Sequence, residues 1–176
     1  MGLSVAERGH CMATFRFIEV RLMEIAAAWT PLTPEMEVKV LLGRHIWDFA
    51  QHADALGKRC FELRLPLQHA CAPAPPYAQL LEELARVEQT HERLAVLYEA
   101  ILPGLDRRYE HYTSEADAIL DAPSIVIVER IRQDLARQRA EAELVRTQLA
   151  LAAATPERWT RREAAAELLS RSSAQE

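Results

Sequence analysis

The segment Glu88-Gln89-Thr90-His91 has the residue types and spacing best suited to definite chemistry. A carboxylate and an imidazole three residues apart lie one above the other on a helix. The surrounding series Leu81, Leu84, Glu88, His91, Ala95, Tyr98, Leu102 places both on an apolar face. An ionised carboxylate buried there alone would cost several kcal/mol, so the pattern predicts a compensating partner. A metal ion held by one oxygen and one nitrogen ligand would supply it. A plain His–Glu hydrogen bond would do so as well, and so would exposure of the pair to water.

Other segments add groups of the same kind. His45, Asp48 and His52 are spaced by three and four, so they project from one side of a helix beside Leu41, while Trp47 and Gln51 fall on the other side. They could chelate one ion or form a hydrogen-bonded row at the edge of a core. Glu19 replaces an apolar residue in the series Phe15, Glu19, Leu22, Ala26. Glu129 lies between Ile125 and Arg132, with Asp134 a weaker candidate and pairing to arginine the competing role. Phe15, Phe49 and Tyr98 are the expected lining of any adjoining pocket.

The elements that must position these groups follow from composition and period. Gly is scarce, at 5 of 176 residues, and Ala, Leu, Glu and Arg are abundant, which favours helix. A first helix is predicted from Ser4 to Trp29, with Met12, Phe15, Leu22, Ala26 and Trp29 on one face and Pro31 as its stop. Thr33-Pro34-Glu35 reads as the start of a second helix reaching Leu63, antiparallel to the first. The prolines at 66, 73, 75 and 76 predict an extended crossover over 65–76. A third helix is expected from Tyr77 to Leu102, ending before Pro103-Gly104, then a shorter irregular one to Leu120. Asp121 would cap a fourth helix running towards Ala152. Thr155-Pro156-Glu157 opens a last helix to about Leu169, with a frayed Ser-rich end. Residues 1–152 thus form the expected helical bundle domain, and 153–176 a C-terminal helix and tail.

In these residues the chain resembles the ferritin-like superfamily of di-iron and di-manganese carboxylate bundles, over roughly Met12 to Arg137. That resemblance implies an all-α, ferritin-like antiparallel four-helix bundle with a long crossover between helices two and three. It implies a metal set of Glu19, Asp48, His52, Glu88, His91 and Glu129, with His45 a further possibility. The implied cofactor is iron or manganese, as a dinuclear centre, and the implied activity is oxidoreduction with dioxygen or peroxide. The chain departs from the superfamily pattern on helix two, where Asp48 and His52 are four apart, and on helix four, where Arg132 stands in place of His.

The remaining features narrow the classes. A net charge of −5 with no long basic run argues against a nucleic-acid binder. No apolar stretch is long enough for a membrane span, and the N-terminus lacks a signal peptide's apolar centre. Three scattered cysteines without a CxxC fit a reducing cytoplasm. No Gly-rich phosphate loop is present. Beside the metal-dependent oxidoreductase stands a reading from another class: a non-catalytic helical scaffold or interaction protein, possible as a homo-oligomer, whose buried polar residues fix helix register. A three-histidine site from His45, His52 and His91 is a third and weaker reading.

Overall fold

The computed structural model describes residues 3–169, and among these the chain is all-helical with no strand. Ser4 opens α1 (Val5–Leu32) with a capping box: its hydroxyl accepts from the Glu7 N–H while the Glu7 carboxylate accepts from its own N–H. Pro31 sits inside the last turn and does not stop the helix at Trp29 as expected. Thr33 is a second correction. Its hydroxyl donates back to the Trp29 carbonyl at 2.9 Å, closing α1 rather than opening α2. Glu35 is the residue that precedes α2 (Met36–Glu62), and α1 and α2 pack along each other.

The proline-rich crossover has no regular structure until Pro75 and Pro76, which form the first turn of α3 (Pro75–Ala85), where a missing N–H costs nothing. The chain then breaks at Arg86, against the expected continuous helix to Leu102. Val87 and Glu88 lie in the break, and the guanidinium of Arg93 donates to the freed Val87 carbonyl at 2.8 Å. Helix resumes as α4 (Thr90–Ala95), widens into a π-helical turn over Val96–Ile101, and continues directly into α5 (Leu102–Glu115). Pro103 was expected to end the third helix, yet helix passes through it. In the π turn the Leu102 N–H reaches back five residues to the Leu97 carbonyl. That wider turn relieves the clash a proline makes with the carbonyl four residues before it.

A short turn leads to α6 (Ala122–Gln148), preceded by Asp121 as expected. The last helix, α7 (Glu157–Ala165), is shorter than predicted and packs on the π turn, α3 and α5. Gly104 allows this approach, since a Cβ there would overlap the Glu163 carboxylate. The Ser-rich end expected to fray lies outside the described residues. Helix α6 packs against both α2 and α5, so the core is shared by α1, α2, α5, α6 and the π turn. It is filled by residues such as Phe49, Leu56, Leu22, Tyr109 and Leu135, all fully buried. No helix among the described residues is long and apolar enough to cross a membrane.

A buried row of carboxylates, histidines and tyrosines

Helix α2 carries its two inner histidines seven residues apart, which is two turns on one face. The His52 side chain is 4% exposed and His45 fully buried. Along α2 the numbers fall from His52 through Asp48 to His45. Along α6 they rise from Asp134 through Gln138 to Glu141, the register of two antiparallel helices, and each level is bonded. His52 Nε2 meets Asp134 Oδ2 at 3.3 Å, Gln138 Nε2 donates to Asp48 Oδ2 at 3.0 Å, and His45 Nε2 meets Glu141 Oε2 at 3.1 Å.

At the His52 level a second carboxylate comes from α1. Glu19, with no exposed surface, places Oε2 3.1 Å from His52 Nδ1, and its Oε1 accepts from the Tyr109 hydroxyl at 2.5 Å. Both ring nitrogens of His52 thus face carboxylate oxygens, which only accept hydrogen bonds, so both nitrogens are satisfied only in the imidazolium. Burial opposes that charge. The Glu19 carboxylate and the bonds to Glu19 and Asp134 outweigh it, and the His52 pKa is raised above its ordinary 6.5. Asp134 is pulled below the usual carboxylate range: burial works against this, but the Arg137 guanidinium and His52 prevail.

The His45 level has the opposite sign. Here Nδ1 lies 2.6 Å from the Tyr98 hydroxyl, on the π turn, and only Nε2 meets a carboxylate. A neutral ring with its proton on Nε2 satisfies both neighbours, donating to Glu141 and accepting from Tyr98. Burial pushes the His45 pKa down, and the Glu141 contact only partly offsets it. Burial also drives the Tyr98 and Tyr109 hydroxyls far above the ordinary tyrosine range, so both stay protonated donors.

Arg137 joins the two levels from the surface. Its guanidinium donates to Asp134 Oδ1 at 2.8 Å, Asp48 Oδ2 at 2.9 Å and Glu141 Oε1 at 3.3 Å. One bonded row therefore runs from Tyr109 through Glu19, His52, Asp134, Arg137, Glu141 and His45 to Tyr98.

Of the sequence-predicted residues, the structure brings Glu19 and His52 together directly and sets Asp48 and His45 in the same row. Glu88 and His91 are a correction. Glu88 is exposed in the break after α3, and His91, partly buried, faces the 153–156 segment and Trp159 instead of the row. Glu129 is a further correction: it is exposed on α6, one residue past the buried Val128. Arg132 pairs with Asp106 and Glu110 at 2.7 and 3.1 Å. Phe15, Phe49 and Tyr98 are all buried. Phe15 borders a cavity of about 520 Å³ with Cys11, Tyr112 and Leu168, and Tyr98 a separate one of about 210 Å³. Tyr109, Arg137, Gln138 and Glu141 were missed. The i, i+4, i+7 spacing of Asp134, Gln138 and Glu141 was the available signal for α6.

Among the described residues no group of three His, Cys, Asp or Glu side chains is arranged to hold a metal ion. His52 lies between its two carboxylates, so they approach opposite edges of one ring rather than a common point. Fold and site together define an all-helical protein with a charged, internally bonded row in its core. No family model, curated protein or solved structure matches this chain.

Proposed function

We propose that the chain is a non-catalytic helical interaction protein, in which the buried row fixes the register of α1, α2 and α6 so that their outer faces are presented in one arrangement. The observation that carries this reading is the engagement of both ring nitrogens of His52 and of His45 by partners within the fold. A buried polar pair is satisfied in only one alignment of its helices; sliding α2 by a turn against α1 and α6 would part His52 from both Glu19 and Asp134 and leave a buried charge unpaired, at a cost of about 3–5 kcal/mol. The row thus acts against alternative packings, as a buried polar residue does in coiled helices.

The runner-up is the ferritin-like metal protein, an iron- or manganese-dependent oxidoreductase. It is favoured by the meeting of Glu19, His52 and Asp134 from three helices. For a metal to bind, His52 would have to give up a proton and at least one carboxylate bond.

Elemental analysis of protein prepared without chelator, paired with unfolding of His52→Leu, separates the two. The interaction reading expects no stoichiometric iron or manganese and a large stability loss in the variant. Stoichiometric metal in the wild type that is lost in His52→Leu would overturn it.

A further inference from the structure

Helix α2 is apolar on two opposite sides. Its inner side, with Val38, Leu41, Leu42, Phe49 and Leu56, is in the core. Its outer side begins with Met36, Val40, Gly43 and Trp47, at steps of four, three and four, the seam of a helix that meets another helix. Among the described residues nothing covers this seam: Met36 is 65% exposed, Val40 54% and Trp47 66%. Further along the same side the residues turn polar at Gln51, Asp54 and Lys58, before Phe61, also exposed, near the end of the helix.

Gly43 is a second, separate observation. Glycine weakens the middle of a helix and is kept where the backbone needs a positive φ or where something packs closely on it. No glycine among the described residues has a positive φ. A Cβ at Gly43 would meet no atom within 4 Å, so nothing among the described residues accounts for its small size. A second helix crossing over that point would.

The flanking charges select the occupant. Glu37 and Arg44 border one edge of the seam and Lys39 the other. Two copies of α2 laid antiparallel about a two-fold axis pair Met36 with Trp47 of the second copy and Val40 with its Gly43. The same alignment sets Glu37 beside Arg44 of the second copy, and the symmetry makes this favourable pair twice. A parallel pairing would instead bring Lys39 against Arg44. Neither Glu37 nor Lys39 is in a salt bridge among the described residues, and Arg44 makes only a distant one, 3.9 Å to Glu141.

We infer that the outer face of α2 is a self-association surface, and that its partner is a second copy of this chain, α2 against α2 and antiparallel. This names the partner that the interaction reading leaves open and rests on that reading. The seam is short, from Met36 to Trp47, and small interfaces are weak, so a micromolar dimer is expected.

Sedimentation equilibrium of the full chain, from low micromolar to near-millimolar concentration, tests it. The wild type should be a monomer–dimer mixture. Trp47→Glu should weaken association more than about thirtyfold. Gly43→Leu should weaken it too, with circular dichroism and thermal midpoint unchanged or improved. Glu37→Arg and Arg44→Glu should each weaken the dimer, and the double swap should restore it, a rescue that a mere folding defect could not give. A wild type that stays monomeric throughout, or a dimer indifferent to Trp47→Glu, overturns the inference. Either result leaves the register reading, which rests on metal content and stability, standing on its own test.

Discussion

The His52 and His45 levels of the buried row are built from the same α2 face and the same α6 face, two turns apart, yet the pKa of one ring is raised and that of the other lowered. The difference lies in the third partner. At His52 it is Glu19, a carboxylate from α1, and a ring between two carboxylates is held as imidazolium. At His45 it is the Tyr98 hydroxyl from the π turn, which can donate, and the ring stays neutral. A single choice of neighbour, acceptor-only or donor-capable, decides whether a buried histidine is an ion or a hydrogen-bond relay. The lesson extends to stability. An ion pair is costly to break and yields little when whole, whereas a neutral relay is cheaper in both respects.

Truncation should therefore separate the levels most. His52→Leu strands the buried Glu19 carboxylate with only Tyr109, and a destabilisation of about 3–5 kcal/mol is expected in urea unfolding. His45→Leu strands a neutral Tyr98 hydroxyl, for which about 1–3 kcal/mol is expected. Equal losses, or a larger one at His45, would remove the distinction.

The pH dependence gives a smaller but signed contrast. Because the folded-state pKa of His52 is raised, its contribution is complete below the ordinary 6.5 and is lost as pH rises through the folded value. The folded-state pKa of His45 is lowered, so its contribution is complete above 6.5 and is lost as pH falls through the folded value. Urea midpoints across pH should accordingly show a weaker alkaline decline in His52→Leu and a weaker acid decline in His45→Leu. The same change in both variants would contradict the assignment.

Arg137 links the levels from a partly exposed position, 42% for its side chain. Screening by water limits its worth, so Arg137→Ala is expected to cost about 1 kcal/mol or less despite its three carboxylate partners. A loss as large as that of His52→Leu would shift the weight of the row from its buried pair to its surface clamp.

The two levels were unequally legible in the sequence. Spacings of three and four on α2 announced the polar face of His45, Asp48 and His52. Glu19 stood out because it interrupts an apolar stripe. Period also gave the all-helical class, the α1–α2 hairpin and the proline crossover. It failed where tertiary contacts override it. No glycine or proline marks the break after Arg86; Arg93 stabilises it by bonding the Val87 carbonyl from the next turn, and the break carries Glu88 into water. Pro103 looked like a stop because period cannot foresee a π turn that accommodates it. Glu129 adjoins the buried Val128 but lies off the face formed by Val128, Ile131 and Leu135, and so stays in water. The tyrosines that end the row were invisible as such, since a stripe shows that a tyrosine is buried but not where its hydroxyl points.

Titration of the histidine ring signals by nitrogen-detected NMR tests the central claim most directly, because it reads both charge and tautomer at each ring. His52 should titrate above 6.5 with both ring nitrogens protonated below that pH, and His45 below 6.5 with its neutral proton on Nε2. Two rings that titrate together near the ordinary value, or a His45 that holds its proton longer than His52, would contradict it.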